Sequence, residues 1–278
     1  MRWTHTITMA VCFAALVCQG SVLLGDWDPG DPVKMEYPQL PGPNWDCGFY
    51  FKPSESLYGR TALADDWTCS QSGPVSDIHF WYSWKDEYQV DITMIEAKIY
   101  SNGWQEHSGG DRYVPGELLW EDTFEAGDFS TRLYDTGSQR FFIPEELTTW
   151  GTLENPNHTN VYQCNIEDIV SPFTQAEGTV YWLALNVYTD PQSSWNGGNP
   201  LPAIGWHLSS IMNDDFDTSA VYQRYDEWFP IPNPEGTLSG DPYDFYPGPE
   251  LAFVITPEPG SLTILALSGL VLLRRRNR

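Results

Sequence analysis

Thr179-Val180-Tyr181-Trp182-Leu183-Ala184-Leu185-Asn186-Val187-Tyr188 is the stretch on which the fold class turns. It is rich in β-branched and aromatic residues, which fit a pleated surface. Its apolar residues fall on both faces, so it predicts a strand covered on both sides, as at the centre of a sandwich.

Outward from this strand the same signals recur. Asp77-Ile78-His79-Phe80-Trp81-Tyr82-Ser83-Trp84 is aromatic and opens after a Gly73-Pro74 turn signal. In Ile92 to Tyr100, Thr93, Ile95, Ala97 and Ile99 share one side and suit a core. Glu117 to Phe124, Arg140 to Ile143, Ala203 to Leu208, Ala220 to Tyr225 and Glu250 to Ile255 complete the set. Eight or nine strands between Pro/Gly/Asn loops predict an all-β protein, an antiparallel β-sandwich that is jelly-roll-like. Pro144 to Trp150 alone suits a helical turn or two. Asp26 to Pro43 carries five prolines and reads as an extended arm ahead of the domain, and Ile231 to Pro249 as a long loop or wrapping segment.

Candidate chemistry is sparse. Asp65 and Asp66 beside Trp67 can bind Ca²⁺ or cap a turn. Adjacent side chains of a strand point apart, so a shared ion there needs backbone carbonyls from a loop. Asn213, Asp215 and Asp217 have the i, i+2, i+4 spacing of a Ca²⁺ loop. The pattern then stops, because no glycine follows at the sixth position and Arg224 stands where a bidentate Glu belongs. His79 and His207 lie in strands with no nucleophile elbow nearby, which suits hydrogen-bonded structural histidines. Glu145/Glu146 and Asp122/Glu125 are carboxylate pairs of the kind glycosidases use, but pairs are expected by chance among so many acids. Tryptophan is abundant, 13 in all. Trp81, Trp84, Trp104, Trp120, Trp182, Trp195 and Trp206 divide between core packing and stacking on sugar rings. Trp195, in a polar loop, is the one expected at the surface. Of Cys47, Cys69 and Cys164, the pair Cys47–Cys69 closes the shortest loop and is the expected disulfide.

The ends of the chain have a different character. Arg2 and His5 precede an apolar run from Ile7 to Val17, with small residues at Gly20 and Ser21, the order of a secretory signal peptide over residues 1–20. At the other end Pro257-Glu258-Pro259-Gly260 leads into an apolar run from Leu262 to Leu273 and then Arg274, Arg275, Arg276 and Arg278. Twelve helical residues span about 18 Å, short of a hydrocarbon core of about 30 Å unless the arginines snorkel. The arginines favour a cytoplasmic C-terminus. This tail, residues 257–278, resembles the PEP-CTERM sorting signal, with Pro257, Glu258 and Pro259 as its tripeptide. The resemblance implies the Sec machinery and an exosortase as partners, transient insertion in the inner membrane, and release to the cell envelope or beyond.

Between the ends lie a 21–43 arm and a 44–256 domain. Taking Arg2, Arg274, Arg275, Arg276 and Arg278 from 14 Lys+Arg leaves 9, and taking Glu258 from 38 Asp+Glu leaves 37, a net charge of −28. Such a body repels nucleic acid and anionic lipid, and attracts cations such as Ca²⁺. An aromatic content of 15 % excludes disorder. Leu63-Ala64-Asp65-Asp66-Trp67 with Cys69, then Gly73-Pro74-Val75, Asp77-Ile78-His79-Phe80-Trp81 and Ser83-Trp84, resembles the opening of a family of exported, functionally uncharacterised proteins of planctomycete-type bacteria. That resemblance implies a β-sandwich and no catalytic residue. The sequence therefore predicts an exported, non-catalytic component of the envelope or extracellular matrix. A polysaccharide-binding module using exposed Trp with Ca²⁺ support is the alternative, and a glycoside hydrolase or lyase the third reading.

Overall fold

The computed structural model describes residues 26–42, 47–50, 62–106, 111–142, 156–190, 203–212, 219–224, 227–231 and 249–257. The first strands in chain order are β1 (Cys47–Tyr50), β2 (Leu63–Thr68), β3 (Gly73–Pro74), β4 (Asp77–Trp84) and β5 (Ile92–Gln105). Next come β6 (Arg112–Glu125), β7 (Phe129–Phe142), β8 (His158–Ile166), β9 (Thr174–Gln175) and β10 (Val180–Thr189). The last are β11 (Ile204–Met212), β12 (Val221–Arg224), β13 (Glu227–Pro230), β14 (Pro249–Leu251) and β15 (Phe253–Thr256). The protein is all-β; among the described residues the one helical element is a single 3₁₀ turn, Lys85–Glu87. The expected signal and sorting helices and the Pro144–Trp150 turn lie outside the described residues.

Two large sheets carry the fold. One is six-stranded, in the order β13-β12-β2-β10-β5-β6, and the other seven-stranded, in the order β14-β11-β1-β7-β8-β4-β15. β10, the strand from which the reading began, sits inside the first sheet between β2 and β5. In the second sheet β11 pairs with both β1 and β4, which curls the sheet into a partial barrel. Among the described residues pairing is antiparallel except between β1 and β7. That exception to the expected antiparallel pattern is permitted because the chain visits the other sheet between those strands, supplying the long crossover a parallel pair needs.

The core lies between the sheets. Leu63 and Trp67 of β2, Ile95, Ala97 and Ile99 of β5, and Leu183 and Leu185 of β10 join one buried cluster with Ile78, Phe80, Trp206, Leu208, Phe253 and Ile255. Edge-on aromatic contacts lock it: Trp67 to Phe253 at 6.1 Å, Phe80 to Trp206 at 6.1 Å and Trp206 to Phe253 at 5.9 Å between centroids. Such pairs add to the burial of their large rings. The tryptophan surplus is thus largely core: Trp81, Trp84, Trp182 and Trp206 are buried.

The proline-rich arm is extended, as its composition requires, and it packs onto this body instead of leading up to it. Trp27 and Met35 are buried. Glu36 N–H donates to Thr68 O and Ser70 N–H to Lys34 O at the end of β2. Lys34 and Gln39 N–H donate to Ile255 and Phe253 of β15, and Gly42 N–H to Leu208 of β11. One segment therefore bonds to strands of both sheets.

Candidate metal centre

The alternation of β2 places Leu63, Asp65 and Trp67 on one side and Ala64, Asp66 and Thr68 on the other. Leu63 and Trp67 belong to the inter-sheet core, so parity sends Asp65 there too, and it is 0 % exposed. Pairing of β2 with β12 runs through Leu63 and Ala64 and no further, which leaves the next part of that edge open. Across the gap stands Glu250 of β14, 3 % exposed. One carboxylate oxygen from each of Asp65, Asp66 and Glu250 lies within 4.8 Å of the others. Two oxygens on opposite sides of a Ca²⁺ ion stand about 4.8 Å apart when each bond is about 2.4 Å, so all three suit a single ion.

The surroundings among the described residues are polar. Leu251 N–H donates to Asp65 Oδ2 at 2.5 Å and Asp66 N–H to Asp65 Oδ1 at 3.0 Å. Gln39 Nε2 donates to the Asp66 carbonyl at 3.0 Å and to Glu250 Oε2 at 3.4 Å. Among the described residues no lysine or arginine pairs with any of the three acids. Burial pushes Asp65 up to about 7, against the hydrogen bonds from Glu250, Leu251 and Asp66 that pull it down. Burial likewise raises Asp66 and Glu250, and the charge of the neighbouring acids raises both further. Two buried carboxyls with a third, partly buried, beside them cannot all ionise unaided; protons or a cation must supply the positive charge. An all-oxygen, acidic set suits a hard cation, Ca²⁺ before Mg²⁺, whose shorter bonds span less.

The centre thus takes in both residues of the Asp65–Asp66 pair, but the further oxygens come from a distant strand, not from a loop carbonyl or a turn. Glu250 and Gln39 were missed. The available signals were Asp65 at a core parity and an acid opening the apolar run Leu251-Ala252-Phe253-Val254-Ile255. Asn213, Asp215, Asp217 and Trp195 lie outside the described residues, as do Glu258, Pro259, Arg274, Arg275 and Arg276; Pro257 closes the described chain.

Other candidates take structural places, and Glu145 and Glu146 lie outside the described residues. Cys69 and Cys164 are free, buried thiols. The Cys47–Cys69 disulfide is therefore not formed: Cys69 follows β2 and gives its Sγ proton to Gln71 O at 3.2 Å, while Cys47 opens β1 in the other sheet. His79 Nδ1 meets Asn165 Oδ1 at 2.7 Å, and His207 bridges Leu208 O and Gln139 Oε1, both as buried structural groups. Among the described residues Trp104 is the exposed tryptophan, 51 %, edge-on to Tyr113 at 4.8 Å on the β5–β6 hairpin.

No curated protein and no solved structure matches the chain. Residues 35–256, which hold Gln39, Asp65, Asp66 and Glu250, match a family described as a domain of unknown function (DUF7901), and the chain belongs to that family.

Proposed function

We propose that this chain is an exported, non-catalytic component of the cell envelope or extracellular matrix, a jelly-roll-like sandwich stabilised by one Ca²⁺ at Asp65, Asp66 and Glu250. The observation that carries the reading is the convergence of buried Asp65 and Glu250 with partly buried Asp66 at the seam between two sheets. An ion held there can tie the sheets together. Asp65 and Glu250 are 0 % and 3 % exposed and only Asp66 is partly open, so a structural ion fits better than a catalytic one. The export reading rests on the residues of the two ends, with the Sec machinery and an exosortase as transient partners.

The thermal midpoint in excess EDTA and then in millimolar Ca²⁺ tests the ion. Binding to the native state alone at a hundred times Kd stabilises by about 2.7 kcal/mol, a rise of roughly 5–10 °C for a domain of this size. An unchanged midpoint removes Ca²⁺ from the reading. Fractionation of cells producing a tagged chain tests the address. Glu258→Ala is expected to retain the unprocessed chain in the inner membrane, and unaltered processing overturns the sorting role.

A polysaccharide-binding role has one observation in its favour, the exposed Trp104–Tyr113 pair. Quenching of tryptophan fluorescence by a glycan, lost in Trp104→Ala, would support it over a purely structural role.

A further inference from the structure

We propose that the side-chain oxygen of Gln39 is a fourth protein ligand of the cation, so that one ion fastens the N-terminal arm to both sheets. This rests on the Ca²⁺ reading above and names the segment that the ion controls. Gln39 sits in the arm, bridged through its backbone to Phe253. Its side chain enters the acidic cluster, with Nε2 between the Asp66 carbonyl and Glu250 Oε2.

Two buried oxygens at this point have no hydrogen-bond donor: Gln39 Oε1 and Glu250 Oε1. Their residues are 9 % and 3 % exposed. Leaving a buried polar atom without a partner is costly, so Glu250 Oε1 calls for an electrophile, and so does the Gln39 oxygen once it faces the cluster. Neither atom has a hydrogen-bond partner among the described residues, and a cation in the cluster can serve both once the Gln39 oxygen faces inward. The two ends of an amide are alike in shape, and half a turn of the Gln39 amide exchanges Nε2 for Oε1 beside Glu250. With the N–H inward the amide suits a cluster that holds protons; with the oxygen inward it completes a cation's shell.

The consequence reaches beyond the site. The arm has no long ladder of its own and is held by scattered bonds to Thr68, Leu208, Phe253 and Ile255. A cation shared by Gln39, Asp65, Asp66 and Glu250 links the arm, β2 and β14 at one point. Segments held by few contacts open locally well below the global unfolding energy, so filling the site should protect the arm disproportionately.

The test uses the full chain with CaCl₂ as the probe, calorimetry for affinity and hydrogen exchange across residues 33–42 for the arm. Expected results are one Ca²⁺ bound by the native chain, binding at least about tenfold weaker in Gln39→Ala, and Ca²⁺-dependent slowing of arm exchange that this variant loses. Gln39→Glu, which keeps an oxygen at the position, should bind Ca²⁺ at least as tightly as the native residue. A circular dichroism spectrum unchanged from the native chain establishes that each variant is folded. Native affinity in folded Gln39→Ala, or weakened affinity in Gln39→Glu, overturns the ligand role and leaves the three-carboxylate site standing. A native chain that binds no Ca²⁺ overturns both.

Discussion

Asp65 occupies a core-facing position with a carboxyl where its neighbours on that side have Leu63 and Trp67. A buried acid persists there only if its charge is neutralised, and the approach of Asp66 and Glu250 makes each ionisation harder for the others. Glu250→Gln separates the two ways of meeting that demand. In EDTA the substitution relieves repulsion, so the midpoint should stay level or rise. In Ca²⁺ the metal-dependent rise of roughly 5–10 °C should vanish. A fall in both conditions would mean that Glu250 serves through packing alone. At this scale the sequence was half legible. Asp65 and Asp66 are neighbours in the chain, but Glu250 follows 185 residues later and its approach depends on strand order, which local pattern does not encode.

Elements were read well where apolar alternation was strong and poorly where polar groups are buried. β4, β5 and β10 lie where the pattern placed them, although β5 runs on to Gln105. β6 was expected from Glu117 and begins at Arg112, with Pro115 and Gly116 inside it. β6 pairs only with β5, and an edge strand tolerates a proline whose missing N–H would have faced outward. β8 was missed. It carries Gln163 and Asn165 on a buried face, which breaks the apolar pattern, and their bonds to Trp27 O, Arg132, His79 and Asp26 make that burial affordable. Close backbone approach gives this scale its own prediction. A Cβ added at Gly103 would stand 2.7 Å from Gly116 Cα, and one at Gly116 3.0 Å from Gly103 Cα. Neither backbone can yield without parting the β5–β6 pair. Gly103→Ala should therefore cost about 1–3 kcal/mol in urea unfolding, and an unaltered midpoint would show that the hairpin relaxes freely.

Across the whole molecule, acid is expected to weaken the fold through histidines buried without charge. Burial lowers His79 and His207 from 6.5 to about 4. Between those values the unfolded chain binds protons that the folded chain refuses. Their contribution is therefore complete above pH 6.5 and lost as pH falls toward 4, on the order of 3 kcal/mol per histidine at most. Urea midpoints at pH 7.5, 5.5 and 4.5 in Ca²⁺ should fall in that order, and His79→Gln should make the slope shallower; an equal slope would exclude His79 as a contributor. The sequence by itself determined the all-β class, the positions of the most apolar strands and the acidic character of the body, because side-chain alternation, turn residues and charge are local properties of the chain. Only the tertiary structure decided that the proline-rich arm packs onto both sheets, that Cys69 remains a thiol and that Gln39 and Glu250 join Asp65 and Asp66. Those outcomes depend on which strands become neighbours, and that is set by burying the aromatic core between two sheets, a property of the whole chain at once.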